Sequence, residues 1–342
     1  MAVRFCGMTE GELEGLSASL GIERFRVGQI LRWVYQRGVT DFEGMTDLPV
    51  RLREKLGEQV ELVSSCVTAR VGDPDGTVKL LVELGDGNGI ECVLIRRGRL
   101  RSGCLSTQVG CPVRCVFCAS GSEGLVRNLD AAEIVEQVVH LCVVDGNYER
   151  LDNVVFMGVG EPLFNYDEVV RAVRILNSPG GLAFAARRMT ISTVGVPGTI
   201  ERLADEGLQV NLAISLHSAD DATRRRLVPH SGLMNISDLV GSADYYRERT
   251  GRDVTFEYVL VAGMNDSREQ AKKVVRLLAG RPVTVNVIEL NEVPGSGYAC
   301  PEGGVVKGFV DELRSGGLNV THRRRRGGRA EAACGQLRLH RH

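Results

Sequence analysis

The spacing of hydrophobic positions changes twice along the chain. Up to about residue 60 they recur every three or four residues, in "TEGELEGLSASLG" and "RFRVGQILRWVYQRG", with Gly21 and Gly38 as stops. That pattern predicts an N-terminal helical domain over 1–60. Trp33 and Tyr35 fall inside the second run, where packing in the helix core is the expected use and a stacking platform the alternative. From about 64 to 108 short β-rich runs are divided by "DPDG" (73–76) and "GDGNG" (85–89), both hairpin signals, so 61–102 reads as a small antiparallel β extension. After Cys104 the rhythm becomes strand then helix. Candidate strands are "NVVFM" (153–157), "RMTIS" (188–192), "VNLAIS" (210–215), "VTFEYVL" (254–260) and "TVNVIEL" (284–290). Amphipathic stretches such as "AAEIVEQVVHL" (131–141) and "REQAKKVVRLLAG" (268–280) separate them. Buried apolar strands alternating with helices imply parallel βαβ units. With the strand before the cysteine-rich segment there are about six repeats, so the expected fold class is α/β, a partial (β/α)6 barrel over 103–322 with a tail over 323–342. A doubly wound sheet is the alternative, but no glycine-rich phosphate fingerprint follows the first strand.

Charge alters this picture only locally. The 342 residues carry 42 Lys and Arg against 43 Asp and Glu, a formal net charge of −1, so the totals give no sign of a polyanionic partner. Residues 318–342, however, hold seven Arg and one Glu, and "RRGRLR" (96–101) holds four Arg in six positions. Arg-only clusters in a balanced chain point towards phosphate contact, against the usual role of a solvated face. The ten cysteines are irregularly spread, no secretory h-region follows Met1, and no run approaches a membrane span. A cytoplasmic protein is expected, in which clustered cysteine serves metal binding or catalysis.

The strongest chemical signal is "GCPVRCVFCAS", with Cys111, Cys115 and Cys118 spaced C-x3-C-x2-C. Zinc in a closed structural site prefers four protein ligands, and no partner His or Cys lies nearby in sequence. A cubane iron–sulfur cluster held by three cysteines leaves one iron open, which suits catalysis. Both metals stay open at this point. A loop after the first barrel strand lies at the face where barrel active sites form.

C-x3-C-x2-C with an aromatic, Phe117, before the last cysteine resembles the radical S-adenosylmethionine (SAM) enzymes, in which SAM chelates the open iron. The resemblance narrows further. The segments "CLSTQVGCPVRCVFCASGSEGLVRNLDAAEIVEQV" (104–138), "NVVFMGVGEPLFNYDEVVRAV" (153–173), "ISTVGVPGTIERLA" (191–204), "LAISLHS" (212–218), "VIELNEVPGSGY" (287–298) and "AACGQL" (332–337) are similar to the RlmN/Cfr family of RNA adenine methyltransferases, in the family's order.

That resemblance implies a mechanism. One SAM methylates Cys334, and a second is cleaved by an electron from a 4Fe–4S cluster held by Cys111, Cys115 and Cys118. The resulting radical takes hydrogen from the S-methyl group, and the S–CH2 radical adds to a ring carbon of adenine that is not nucleophilic. Glu91 matches a glutamate proposed to accept the ring proton. Cys104 then attacks the sulfur of Cys334, freeing the product as a transient disulfide forms. The SAM contacts carried over are Gly160 and Glu161 at the methionyl amino group, with Ser192, Ser215, Leu216, His217 and Asn291. Cys6, Cys66, Cys92, Cys142 and Cys300 are expected to be packing residues.

The implied substrate is 23S ribosomal RNA, and often tRNA at adenosine 37, methylated at carbon 2. A Cfr-like reaction at carbon 8 is the alternative, as is a paralogue with another substrate. A zinc-containing RNA-binding protein is the non-enzyme reading, but it leaves Cys104 and Cys334 unexplained. An electron donor of the flavodoxin or ferredoxin kind, no membrane and a monomer are expected. The chain departs from the family at Arg329-Ala330, where Asp-Ile is usual, and in "HSGLMNIS", beginning His230-Ser231 after "RRRLVP". It also has "GVGEP" where "GMGEP" is common. The first two departures flank expected RNA-contact surfaces and bear on the substrate.

Overall fold

The computed structural model describes residues 3–293, 295–323, 330–338 and 340–341. The N-terminal region holds helices α1 (Glu10–Leu20), α2 (Arg24–Arg37) and α3 (Val50–Gln59), with β1 (Val3–Arg4) paired in parallel to β2 (Val60–Glu61). The two expected helices end at Gly21 and Gly38, whose φ of 62° and 67° is the left-handed conformation that closes a helix. Tyr35 is buried. Trp33 is covered by the Arg37 guanidinium and donates through Nε1 to Asp47 at 2.6 Å, so both aromatics are structural.

Strands β3 (Cys66–Gly72), β4 (Val78–Glu83), β5 (Asn88–Arg97) and β6 (Leu100–Cys104) form an antiparallel meander. Its hairpins turn at 73–77 and 84–88, on the two glycine-bearing turn segments. The meander is not a separate sheet. Beyond β6 the chain forms the ribbon β7 (Gln108–Gly110)–β8 (Leu125–Asn128), then α4 (Ala131–Cys142), and β9 (Asn153–Phe156) returns parallel to β6. One 11-stranded sheet therefore runs from the meander into the barrel.

The barrel continues as α5 (Tyr166–Asn177), β10 (Met189–Thr193), α6 (Thr199–Asp205), β11 (Asn211–Ser215), α7 (Asp221–Leu227), α8 (Ile236–Thr250), β12 (Val254–Leu260), α9 (Arg268–Leu278), β13 (Thr284–Glu289), α10 (Gly303–Ser315) and β14 (Asn319–Arg323). All neighbours from β9 to β14 pair in parallel. Six βα units are thus followed by one more parallel strand, β14, which hydrophobic spacing did not flag because "NVTHR" is a polar edge strand. Val154, Phe156, Ile191, Ile214, Phe256 and Val285 are fully buried between sheet and helices. Parallel strands deliver their carboxyl ends to one rim, where Cys104, Ser192, Ser215, Glu289 and Arg323 arrive together. β15 (His340–Arg341) pairs antiparallel with β5 and returns the end of the described chain to the meander.

The Arg cluster at 96–101 is in part structural. Arg96 and Arg101 both pair with Asp145, and Arg101, 8% exposed, also pairs with Glu149. Arg97 and Arg99 are the exposed pair of the four.

Candidate active site

The three-cysteine loop is suspended between β7 and β8. Cys111 N–H donates to the Gly124 carbonyl at 3.0 Å, Cys118 N–H to the Cys115 carbonyl at 3.0 Å, and Val116 N–H to the Leu227 carbonyl at 3.0 Å. All three thiols line one cavity of about 160 Å³ at the carboxyl rim, together with Phe117. Burial pushes the Cys111 thiol up to about 12 and raises Cys115 and Cys118 as well. Such thiols keep their protons until a metal displaces them. Among the described residues no three Cys, His, Asp or Glu side chains converge on one point. A single zinc ion needs thiolates at about 2.3 Å from a common centre, whereas a cubane takes each thiolate on a different iron. Three loop thiols around one cavity therefore fit a cluster better than one ion.

Opposite them stands the loop after β9. Gly160 has φ 109°, and a Cβ there would come within 2.7 Å of Gln108 Cβ, so only glycine lets the loop lie against β7. Gln108 Oε1 in turn accepts from Glu161 N–H at 2.8 Å. Glu161 is 3% exposed, accepts from Val194 N–H at 2.9 Å and Leu163 N–H at 3.0 Å, and lines the cavity. Burial raises its pKa to about 7, which a cationic ligand would reverse.

Ser192, Ser215, His217 and Asn291 line the same cavity. Leu216 does not: it is fully buried, its N–H bonds to the Glu257 carbonyl at 3.0 Å, and its carbonyl accepts from Arg224. His217 adopts φ 57° and meets Phe117 edge-on at 4.9 Å. Its Nδ1 accepts from Val259 N–H at 3.1 Å, and burial, assisted by the Arg224 charge, lowers its pKa to about 3. The neutral ring therefore carries its proton on Nε2.

The segment around Cys334 closes one wall. Asn291 Nδ2 donates to the Cys334 carbonyl at 3.2 Å, Ala119 N–H to the Gly335 carbonyl at 2.7 Å, and Ser120 Oγ to the Leu337 carbonyl at 2.8 Å. Gly335, at φ 84°, sits where a Cβ would meet the Phe117 carbonyl at 3.0 Å. Cys334 lines the main cavity and also a second one, of about 30 Å³, into which Cys104 projects from the end of β6. All ten cysteines are free thiols, so the pairing implied for turnover is absent from this state. Of the remaining five, Cys6, Cys92 and Cys142 are buried, Cys300 is partly buried and Cys66 is exposed.

Two expected residues lie elsewhere than the sequence suggested. Glu91 is 1% exposed but lines neither cavity; it pairs with Lys79 Nζ at 2.7 Å and accepts from Arg338 N–H at 2.9 Å. Arg323, where the tail was expected to begin, belongs to the barrel. It ends β14, and its side chain lines both cavities. Arg324–Arg326 and Arg329 lie outside the described residues; Ala330, beside Arg329, is buried. His230 and Ser231 border a shallow surface pocket with Arg114 and Leu125 of the cysteine-loop region.

Three supporting residues had escaped sequence reasoning. Arg224, 4% exposed, donates to the carbonyls of Val194, Ser215, Leu216 and Met234, tying together the ends of β10 and β11. Asn265 donates to the carbonyls of His217 and Val259 at 2.8 and 2.7 Å, fixing the left-handed histidine. Glu257 presents a buried carboxylate on β12. A lone acid inside "VTFEYVL" was the one available signal, since a charge in a buried strand demands a partner.

Partial barrels with this loop at the carboxyl rim form a recognised class. The model of the radical SAM superfamily matches residues 105–277, so the chain is a radical SAM enzyme. Residues 3–62 match the ribosomal RNA large subunit methyltransferase N-terminal domain. Over 321 residues it is 45% identical to a probable dual-specificity RNA methyltransferase RlmN of Rhodopirellula baltica, covering 94% of this chain and 86% of the relative. A protein of the same description from Symbiobacterium thermophilum is 45% identical over 334 residues, covering 97% and 90%. The crystal structure of a radical SAM methyltransferase from Sphaerobacter thermophilus superposes with a TM-score of 0.94 at 42% identity, covering 98% of this chain and 99% of that one. The chain belongs to the RlmN family of radical SAM RNA methyltransferases.

Proposed function

We propose that the enzyme methylates carbon 2 of an adenosine in 23S ribosomal RNA and in tRNA, with Cys334 as the methyl carrier. The observation that supports this most is the position of Cys334, in the wall shared by the cavity of the three loop thiols and the cavity of Cys104. A carrier thiol must meet a methyl donor on one side and a resolving thiol on the other.

Cys111, Cys115 and Cys118 would hold three irons of a 4Fe–4S cluster and leave the fourth for SAM. When bound, these groups supply the methyl group and the carbon-radical chemistry that an unreactive adenine carbon needs. The chain supplies the rest. Gly160 and Glu161 would receive the methionyl ammonium, an ion pair that returns the Glu161 pKa towards the ordinary carboxylate range. His217 offers a neutral Nε2–H donor, while Ser192, Ser215 and Asn291 offer hydroxyl and amide groups. Leu216 acts through its backbone, by holding its two neighbours at the rim.

Once the carrier carbon is bonded to adenine, the ring proton goes to Glu91. That carboxylate is joined to the carrier segment at Arg338, and Lys79 reaches both Glu91 and the Glu331 carbonyl, so a shift of the tail would free it. Release follows when the Cys104 sulfur bonds to the Cys334 sulfur and the bond to the product carbon breaks. The resulting disulfide then needs reduction by an external thiol before two further SAM molecules are used. A monomer, served by a flavodoxin- or ferredoxin-like electron donor in the cytoplasm, suffices for this cycle.

Mass spectrometry of nucleosides from cells with and without the gene tests the product. Loss of 2-methyladenosine from both RNA classes is expected, and loss of 8-methyladenosine instead would overturn the assignment of carbon 2. With purified enzyme, Cys104→Ala should stall as a protein–RNA adduct that disappears in Cys104→Ala/Cys334→Ala. Free product at wild-type yield from Cys104→Ala would remove that thiol from the mechanism.

A further inference from the structure

Arg323 is the feature that this mechanism leaves unused. Its guanidinium lines both cavities, and among the described residues it makes no hydrogen bond or ion pair. A cation placed in a protein wall without a contacting anion is costly unless the site acquires negative charge. Of the nearby carboxylates, Glu257 acts on the guanidinium through space while its Oε2 accepts from Asn286 at 2.7 Å, and Glu289 pairs with His322 at 2.9 Å. Arg323 shares a cavity of about 30 Å³ with two thiols, Cys104 from β6 and Cys334; Cys334 is its stronger charge partner, but in the adduct that sulfur is a thioether and carries no charge, which leaves Cys104.

We infer that Arg323 stabilises the Cys104 thiolate as it forms for product release and is in that sense a positioning charge of the reaction. The inference rests on the mechanism proposed above. In the release step the Cys104 thiolate attacks the Cys334 sulfur, forming an S–S bond. The bond from that sulfur to the carbon attached to adenine breaks, its electron pair stays on that carbon, water supplies one proton to complete the methyl group, and the unpaired electron left by radical addition would return to the cluster that supplied it. Only the thiolate is nucleophilic enough for this. Burial, and then the neighbouring Cys334, push the Cys104 thiol up to about 12 even though the Arg323 guanidinium and a backbone hydrogen bond at Met157 oppose them. The groups facing the thiol are Cys334, Arg323 and, from β5, Cys92; Glu257 faces Arg323 from β12. Losing the cation should raise the thiol pKa further and lower the thiolate population, partly offset by greater intrinsic nucleophilicity, so that release slows by about tenfold.

The test uses full-length, cluster-loaded enzyme with an RNA fragment, SAM and dithionite, following the covalent adduct by denaturing gel across pH. Arg323→Gln should form the Cys334 adduct and release it about tenfold more slowly near pH 7, with release from both proteins speeding up in parallel as pH rises, because both thiols titrate far above that pH. Arg323→Lys should restore most of the rate. Release from Arg323→Gln at the wild-type rate, or a release rate that does not rise with pH, would overturn the role. So would failure of Arg323→Gln to form any adduct, because the cation would then act before release, on SAM or on folding. Cys104→Ala runs in parallel and separates the two ideas. If it traps no adduct, the resolving-thiol mechanism itself falls. If it traps one while Arg323→Gln behaves as wild type, only the role of Arg323 falls.

Discussion

Glu257 makes a pH dependence that can be worked from the structure. Its side chain is 7% exposed on β12, and burial raises its pKa from the ordinary 4.5 to about 7, against the lowering effects of the Asn286 hydrogen bond and the Arg323 charge. Between those two values the folded state keeps a proton that the unfolded chain releases. The contribution of Glu257 to stability is therefore greatest below pH 4.5, falls as pH rises through the window, and is constant above pH 7. The gap corresponds to a loss of about 3 kcal/mol across the window. Glu257→Gln keeps an oxygen to accept from Asn286 and cannot ionise, so it lacks this loss. Comparing pH 5 with pH 8, the variant should gain about 3 kcal/mol relative to wild type, which for 342 residues is about 4 °C in Tm. Scanning calorimetry of both proteins at the two pH values measures it. Parallel Tm–pH curves for wild type and Glu257→Gln would refute the claim that this carboxyl is folded at a raised pKa.

Three further outcomes are expected. Cys111→Ala, Cys115→Ala and Cys118→Ala should each lose stoichiometric iron and SAM cleavage, checked by iron analysis and by 5′-deoxyadenosine release; full activity in any one would break the cluster assignment. Gly160→Ala should lower SAM affinity at least about tenfold with little change in circular dichroism, because its Cβ would collide with Gln108 at 2.7 Å in a backbone of positive φ; equilibrium binding of SAM tests it. Neutralising Arg324, Arg325 and Arg326 together should weaken RNA binding at every sequence and flatten its salt dependence by up to about one unit of slope per lost contact. An unchanged slope in filter binding would make those arginines a solvated face.

Much of this enzyme could be read before any fold was known, because its chemistry is local. Three thiols within eight residues specify a metal loop whatever surrounds them, and helix stops at Gly21 and Gly38 depend only on backbone conformation. Alternation of apolar strands with amphipathic helices sufficed for the parallel barrel, since both periods follow from burying one face of each element. What depends on distant pairing was hidden. The antiparallel meander looked like a unit of its own because nothing in β6 announces that its second edge pairs with β9, where Ser102 lies opposite Asn153, 51 residues further along. Arg323 looked like one of four equivalent cations, and only the parallel pairing of β14 with β13 turns it inward while Arg96 and Arg101 are consumed by Asp145. Glu91 could be named but not placed, as its burial comes from Lys79 across the sheet and from Arg338, 247 residues away. Residue identity along the chain fixes which chemistry is available; which groups share a low-dielectric cavity, and hence which charge acts on which thiol, is decided only when strands far apart in sequence end at the same rim.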